Sequence, residues 1–177
     1  LKDGLQNILN KKDNLAESIK NFIDNNFNPG EIDVNIMTKV DKDNFVKNVQ
    51  LPTIYNDAHA SLRGFANSKL SSSVIFSAGM NPRLYSYLEE FEDFFPNENG
   101  ELKKKIILKV SDFRSAMIQG NFLAKKGLWV SEYRIESGLN CGGHAFATDG
   151  LLMGPIMEEF KQKKNELQAS AFALWKS

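Results

Sequence analysis

The sequence predicts an α/β fold in which parallel strands alternate with helices. Segments with apolar residues at helical spacing alternate with short apolar runs typical of strands, in the order α, β, α, β, α, β, α, β, α. A helix between successive strands favours parallel pairing through right-handed crossovers. The chain has 177 residues, of which 42% are hydrophobic, so it is long enough to bury the core of one such domain.

Four elements and one irregular segment are predicted at the beginning of the chain. Apolar residues recur at helical spacing over 15–27, and the Asn-Pro-Gly triplet at 28–30 ends that helix. Apolar residues then alternate over 32–37, which indicates a strand. Residues 41–55 have no clear period and contain Pro52, so they are interpreted as an irregular excursion. Asp57 can cap the next helix, and a short apolar strand follows that helix.

The middle of the chain repeats the same alternation. The short strand covers 73–76, and Asn81 followed by Pro82 is a strong beginning for a helix. Apolar residues at helical spacing continue that helix to Phe95. The run 106–110 is the clearest strand of the sequence.

The last predicted elements follow that strand. Ser111 or Asp112 can cap a helix that Gly127 ends. A β-rich run covers 128–136, and a final helix begins at Pro155.

Composition argues against several classes of protein. Lys plus Arg and Asp plus Glu each number 22, so the net charge is zero, which argues against a nucleic-acid binder and a basic membrane-surface protein. The single cysteine, Cys141, excludes an internal disulfide and a cysteine-based metal cage, and no metal site is predicted. No apolar run approaches the roughly 20 residues that span a bilayer. Because no signal-peptide pattern occurs, we expect a cytoplasmic protein.

The most informative stretch is the glycine-rich turn over 137–144, in which Gly142 and Gly143 precede His144. Glycines have no Cβ and let the backbone approach a flat or anionic ligand, and an imidazole exchanges a proton near neutral pH. The same pattern also suits an ordinary tight turn between a strand and a helix. The pattern alone leaves both interpretations open.

Two strand ends carry polar residues at the edge where parallel sheets gather their chemistry. Lys109 lies near the end of an apolar strand, where its ammonium group suits a ligand anion or an electron-rich ring. Asn35 lies near the end of an earlier strand, and its amide suits the edge of a heterocycle. A lysine with a solvated head and an ordinary turn asparagine are the alternatives.

Three further features are interpreted as structural. His59 is expected on the solvated face of its helix. The run Lys103-Lys104-Lys105 is expected in solvent at the entrance to a strand. Cys141 has neither a second thiol nor a suitably spaced histidine, so it is interpreted as a small packed residue.

The segment 105–144 resembles the nitronate monooxygenase family, also called the 2-nitropropane dioxygenases. In that family a strand that ends in Lys is followed by a helix, and the next strand leads into a Gly-x-Glu-(Ala or Cys)-(Gly or Ala)-Gly-His turn. Lys109 and the turn that ends at His144 match this order. Asn35 and the small residues 77–79 resemble two earlier strand ends of the family.

The resemblance implies an enzyme that binds FMN on a (β/α)₈ barrel and oxidises nitronate or a similar carbon acid with dioxygen as acceptor. His144 would be the catalytic base, and Asn35, Lys109, Gly142 and Gly143 would contact the flavin. The resemblance covers about four of the eight βα units. We therefore expect the whole chain to be one partial barrel domain, without the phosphate-binding loops that follow strands seven and eight.

Two alternatives stay open. Asn140 and Ser137 stand where the family commonly has Glu and Gln or Asp, and the segment 41–55 looks like an insertion, so the substrate can differ. Another FMN barrel enzyme, of the glutamate-synthase or dihydroorotate-dehydrogenase type, is one alternative. A non-catalytic α/β module that kept the scaffold and lost the cofactor is the other. The sequence leaves the oligomeric state open.

Overall fold

The structure is a computed structural model. It describes residues 2–9, 14–27, 33–36, 41–77, 79–136 and 153–177. The chain divides into two compact units, Leu1–Glu31 and Ile32–Ser177. None of the helices in these described ranges is both long enough and apolar enough to cross a bilayer.

The first unit contains two helices, α1 (Lys2–Leu9) and α2 (Leu15–Asn26). Helix α2 confirms the helix predicted over 15–27, whereas α1 was not predicted. The rings of Phe22 and Phe27 meet edge to face with centroids 6.4 Å apart. Both phenylalanines belong to the apolar spacing that predicted α2, so the same residues that specify the helix also pack it.

The second unit is built around a parallel sheet, which confirms the α/β class. Within the described ranges its strands are β1 (Asp33–Ile36), β2 (Phe45–Val46), β3 (Val49–Gln50), β4 (Ser72–Phe76), β5 (Lys104–Val110) and β6 (Val130–Ile135). Four of them form one sheet in the order β1-β4-β5-β6, and every neighbouring pair is parallel. The other two, β2 and β3, form a separate antiparallel hairpin.

In the part of the chain that the structure describes, helices alternate with the sheet strands, as the sequence predicts. They are α3 (Asp57–Ala66), α4 (Pro82–Tyr87), α5 (Phe113–Ala124) and α6 (Met153–Trp175). One face of the sheet packs against them, because Val74, Phe76, Ile106 and Leu108 belong to the same buried cluster as Leu62 and other residues of the helices. Side chains alternate along a strand, so the residues between these face the opposite way.

Two predicted helix beginnings are confirmed by capping hydrogen bonds, and one predicted helix end is confirmed by its backbone conformation. The Asn81 side chain accepts from the Leu84 N–H at 3.1 Å, and the Asp112 side chain accepts from the Ser115 N–H at 2.7 Å. Gly127 has φ 75°, a left-handed conformation that favours glycine after a helix.

Two predictions differ from the structure. The helix that begins at Pro82 ends at Tyr87, and two short 3₁₀ turns, Leu88–Glu90 and Glu92–Phe94, follow it. These turns still bury Leu88 and Phe94, so the apolar spacing fits a broken helix as well as a continuous one.

The insertion over 41–55 is more regular than predicted. It contains the β2–β3 hairpin and the 3₁₀ turn Thr53–Tyr55. Lys47 and Asn48 at the tip have φ values of 47° and 63°, as a tight hairpin turn requires. The hairpin has only two residues in each strand, too few to show an alternating pattern in the sequence.

Candidate functional site

The candidate site lies on the sheet face that points away from the helices, here called the second face. By alternation it consists of Asp33, Asn35, Ser73, Ile75, Lys105, Ile107, Lys109, Glu132 and Arg134. Ile75 and Ile107 at its centre are 5% and 2% exposed. Except for Glu132, which aligns with Ile107, its charged residues lie toward the two ends of the strands, around a buried apolar centre.

Asn35 and Lys109, the two of the predicted flavin contacts that the structure describes, lie on this second face. Asn35 aligns with Ile75, which aligns with Ile107, and Lys109 is the next residue of β5 on the same face. Two strand spacings, or about 10 Å, separate the strands of Asn35 and Lys109. The two side chains thus share a face and the carboxyl half of the sheet.

Lys109 has an acidic partner. Its Nζ lies 2.7 Å from Oε1 of Glu136, and the two side chains are 18% and 28% exposed. Glu136 directly follows β6, and its N–H donates to the Val110 carbonyl at 2.8 Å. The carboxylate compensates the charge of Lys109, so an anionic ligand would compete with Glu136 for this ammonium group.

Arg134 adds a second cation beside Lys109, with which it is paired in register. Its Nη2 lies 2.6 Å from Oδ2 of Asp33, and its Nε lies 2.6 Å from Oε1 of Glu132. Hydrogen bonds to Glu132 and then to Asp33 raise the pKa of Arg134 above its usual range. The other oxygen of Asp33, Oδ1, is buried and has no hydrogen-bond partner in the described part of the chain.

The catalytic residue predicted from the sequence lies outside the described residues. His144, Gly142 and Gly143 belong to 137–152, which begins immediately after Glu136. Glu136, the described residue that precedes them in the sequence, is the acidic partner of Lys109.

The small-residue strand end at 77–79 is described in part. Ser77 donates a hydrogen bond to the Ile36 carbonyl at 3.2 Å, which joins the ends of β1 and β4. Gly79 has φ 112°, a conformation that side chains rarely adopt. Residue 78 lies outside the described ranges.

The expectation that His59 is solvated is wrong. His59 is 3% exposed, and its Nδ1 lies 2.6 Å from Oδ2 of Asp41, which is equally buried. Its ring also packs against Tyr87, with centroids 5.1 Å apart. His59, Leu62 and Ala66 are spaced along one face of α3, so helical spacing could have predicted this burial.

A second polar contact joins the insertion to α3. Asn56 is completely buried, and its Nδ2 donates to Oδ1 of Asp43 at 3.1 Å. Its own Oδ1 is buried without a partner among the residues described. Together with the Asp41–His59 pair, this contact anchors the segment 41–55 to the first turn of α3.

The expectation that Lys104 is solvated is also wrong. Lys104 is completely buried, and its Nζ donates to the Ser68 carbonyl, the Ser68 hydroxyl and the Leu70 carbonyl at 3.0, 2.9 and 2.6 Å. Burial lowers the pKa of Lys104. Lys104 and Ile106 are two residues apart in the same strand, so alternation predicts that both side chains point to the same face of the sheet.

A cavity of about 500 Å³ lies on the helical side of the sheet, between β6 and α6. Its walls include Tyr133, Met157 and Phe160, and neither Asn35 nor Lys109 borders it. Burial raises the pKa of Tyr133 to about 12. This cavity is therefore separate from Asn35 and Lys109.

No protein-family model matches the chain, and no similar curated protein or solved structure is found. A functional proposal therefore has to come from the residues themselves.

Proposed function

We propose that the chain belongs to an FMN-dependent oxidoreductase that resembles the nitronate monooxygenases. One observation carries the proposal: Asn35 and Lys109, expected from the resemblance to contact the flavin, lie on the same face of one parallel sheet. Both are in its carboxyl half, where parallel α/β folds hold their ligands.

The order of the strands supports a (β/α)₈ barrel as the complete fold. The sheet order β1-β4-β5-β6 follows the chain without a reversal. A doubly wound sheet reverses its order at the ligand site, whereas barrel strands pair in sequence. A curled sheet is also consistent with the Asp33–Arg134 contact, because a barrel brings inward-facing residues of separate strands together.

The donors present suit an isoalloxazine ring. The Asn35 amide can donate and accept at the edge of a heterocycle, and the Lys109 ammonium would lie where a reduced ring carries negative charge. When bound, FMN supplies the electron chemistry, with dioxygen as acceptor. In this proposal His144 removes the proton from the carbon acid, and Gly142 and Gly143 let the backbone approach the ring.

Flavin binding by the full-length protein tests the ligand assignment. Lys109→Met is expected to weaken FMN binding roughly tenfold, through loss of one charge-assisted contact. Lys105→Met is the matched control, since it lies on the same strand and face but at the amino end. Quenching of flavin fluorescence measures both. A protein that binds no FMN contradicts the proposal and supports a non-catalytic module.

The catalytic assignment is tested with His144→Ala. Oxygen consumption on a neutral nitroalkane should fall about 10²–10⁴-fold, the usual contribution of a general base. Turnover of the preformed nitronate anion should fall much less, because its proton has already been removed. Equal losses on both substrates would exclude His144 as the base.

A further inference from the structure

A second candidate site lies at the amino ends of β5 and β6. Lys109 lies near the carboxyl end of β5, so the two sites are at opposite ends of the strands. An open cavity of about 420 Å³ is bordered there by an aromatic cradle, defined as Trp129, Phe172 and Trp175, and by residues of the 96–102 loop. Trp129 directly precedes β6, and the other two rings belong to the end of α6. A volume of this size suits a small ligand.

The three rings of the aromatic cradle have a fixed arrangement. The Trp175 Nε1–H donates to the Gly127 carbonyl at 2.9 Å. Trp129 is nearly perpendicular to both other rings, with interplanar angles of 90° to Phe172 and 72° to Trp175. Phe172 and Trp175 are within 20° of parallel. The cradle therefore presents aromatic surface in two perpendicular directions.

The opposite wall is a rigid turn that carries an acidic residue. The Asn97 N–H donates to the Glu101 carbonyl at 2.9 Å, and the Gly100 N–H donates to the Asn97 carbonyl at 2.8 Å. The Asn97 side chain also accepts from the N–H groups of Asn99 and Glu101. Glu98 is held on this turn and borders the cavity. It forms no ion pair within the ranges that the structure describes.

The rings and the carboxylate select for positive charge. Aromatic faces attract cations, and Phe172 already does so, because the Lys176 Nζ lies 4.7 Å from its centroid. Glu98 adds a negative charge to the same cavity. Most of the cavity wall is apolar, so a primary ammonium would lose more hydration there than a methylated one.

We propose that the aromatic cradle binds a quaternary ammonium group, with Glu98 compensating its charge. The same group occurs in trimethylated lysine side chains and in choline-type small molecules. This proposal is independent of flavin binding, because the cavity lies at the amino ends of the strands and the proposed flavin contacts lie toward their carboxyl ends.

Tryptophan fluorescence of the full-length protein, or of this chain, tests the proposal. Both tryptophans of the chain, Trp129 and Trp175, line the cavity, so their emission reports on this site. Tetramethylammonium and choline should change the emission saturably. The neutral isostere 3,3-dimethylbutan-1-ol has the same shape as choline without the charge, and it should bind roughly tenfold more weakly.

Two variants keep both tryptophans and remove one recognition element each. Phe172→Leu should weaken choline binding roughly tenfold, and Glu98→Gln should weaken it by a smaller factor. Both residues are exposed, so neither change disturbs the core. Phe45→Leu, on the distant hairpin, and Glu92→Gln, outside the cavity, are the controls and should change nothing.

The outcomes separate the alternatives. Equal affinity for choline and its isostere, or no saturable change with either cation, would overturn the proposal. Wild-type affinity in both Phe172→Leu and Glu98→Gln would place the binding elsewhere and would overturn it too. Tighter binding of a trimethyllysine peptide than of choline would identify a protein partner as the source of the group, and the reverse would identify a small molecule.

Discussion

Arg134 of β6 donates a hydrogen bond to Asp33 of β1, although two strands lie between them. In a flat sheet three strand spacings amount to about 14 Å, and Arg134 also lies further along its strand than the residue aligned with Asp33. A contact of 2.6 Å between Nη2 and Oδ2 therefore requires the sheet to curl toward its second face. The ion pair joins the two edges of the described sheet.

We expect this ion pair to stabilise the curl. In a double-mutant cycle with Asp33→Asn and Arg134→Gln, the coupling should be favourable and should shrink as salt screens the charges. Chemical unfolding of the four proteins measures it. Lys163 and Glu159, an exposed pair on α6, should couple more weakly. Coupling no larger than in that control would show that the curl does not depend on Arg134.

Lys104 should make stability depend on pH. Because burial lowers its pKa below the usual 10.5, the unfolded chain holds this proton to a higher pH than the folded protein does. The free energy of unfolding should therefore rise with pH between the folded pKa and 10.5. Lys104→Met should remove that rise and lower stability at pH 7 by about 1–3 kcal/mol, because the carbonyls of Ser68 and Leu70 lose their donor.

Measurements below pH 10 isolate this effect. Burial raises the pKa values of Tyr85 and Tyr133, so these side chains decrease stability only as the pH rises above 10, where the unfolded chain loses their protons first. Lys161→Met is the control, since Lys161 pairs with Glu158 in solvent on α6. A pH profile unchanged by Lys104→Met would contradict the assignment.

Replacing Tyr133 should restore the stability that is lost when Gly120 is replaced. A Cβ on Gly120 would collide with the Tyr133 hydroxyl, whereas the nearest ring carbon would lie 3.3 Å away. Gly120→Ala is expected to lower the free energy of unfolding by about 1–3 kcal/mol through overpacking. Adding Tyr133→Phe removes the colliding oxygen and should restore most of the loss. Thermal unfolding of the two single variants and the double variant checks this, and additive losses would exclude the collision.

Asp41 and His59 should behave as a buried pair. Asp41→Leu or His59→Leu alone leaves one buried polar partner uncompensated and should cost about 3–5 kcal/mol. The double variant should be more stable than either single one, because no unpaired group remains. Urea unfolding measures all four proteins. A double variant less stable than both single variants would contradict this, and it would indicate that each residue has other essential contacts.

The sequence predicts the elements of this fold better than it predicts the environment of their charged residues. Apolar spacing identified α2, α5 and α6, and side-chain caps identified the beginnings of α4 and α5, because these signals are local. His59 and Lys104 were misassigned although spacing places both on buried faces. Their partners Asp41 and Ser68 are 18 and 36 residues away, and no local pattern indicates them.

The candidate site was only partly predictable, because some of its contacts also join residues that are far apart in the sequence. Strand alternation and parallel pairing place Asn35 and Lys109 on one face. The contacts of Arg134 with Asp33 and of Lys109 with Glu136 depend on how the sheet curls and on its pairing register. A bulge shifts that register between Ile106 and Ile107, and the sequence does not predict it.

The agreement between sheet order and chain order has a consequence for how the molecule forms during synthesis. Each sheet strand after the first pairs with the sheet strand made just before it, so the growing sheet always offers the edge that the next segment needs. The paired residues are still about 24 to 40 positions apart along the chain, so each pairing step remains slow, as in other parallel sheets. A ribosome releasing this polypeptide would let the sheet extend one strand at a time, without waiting for its last residues.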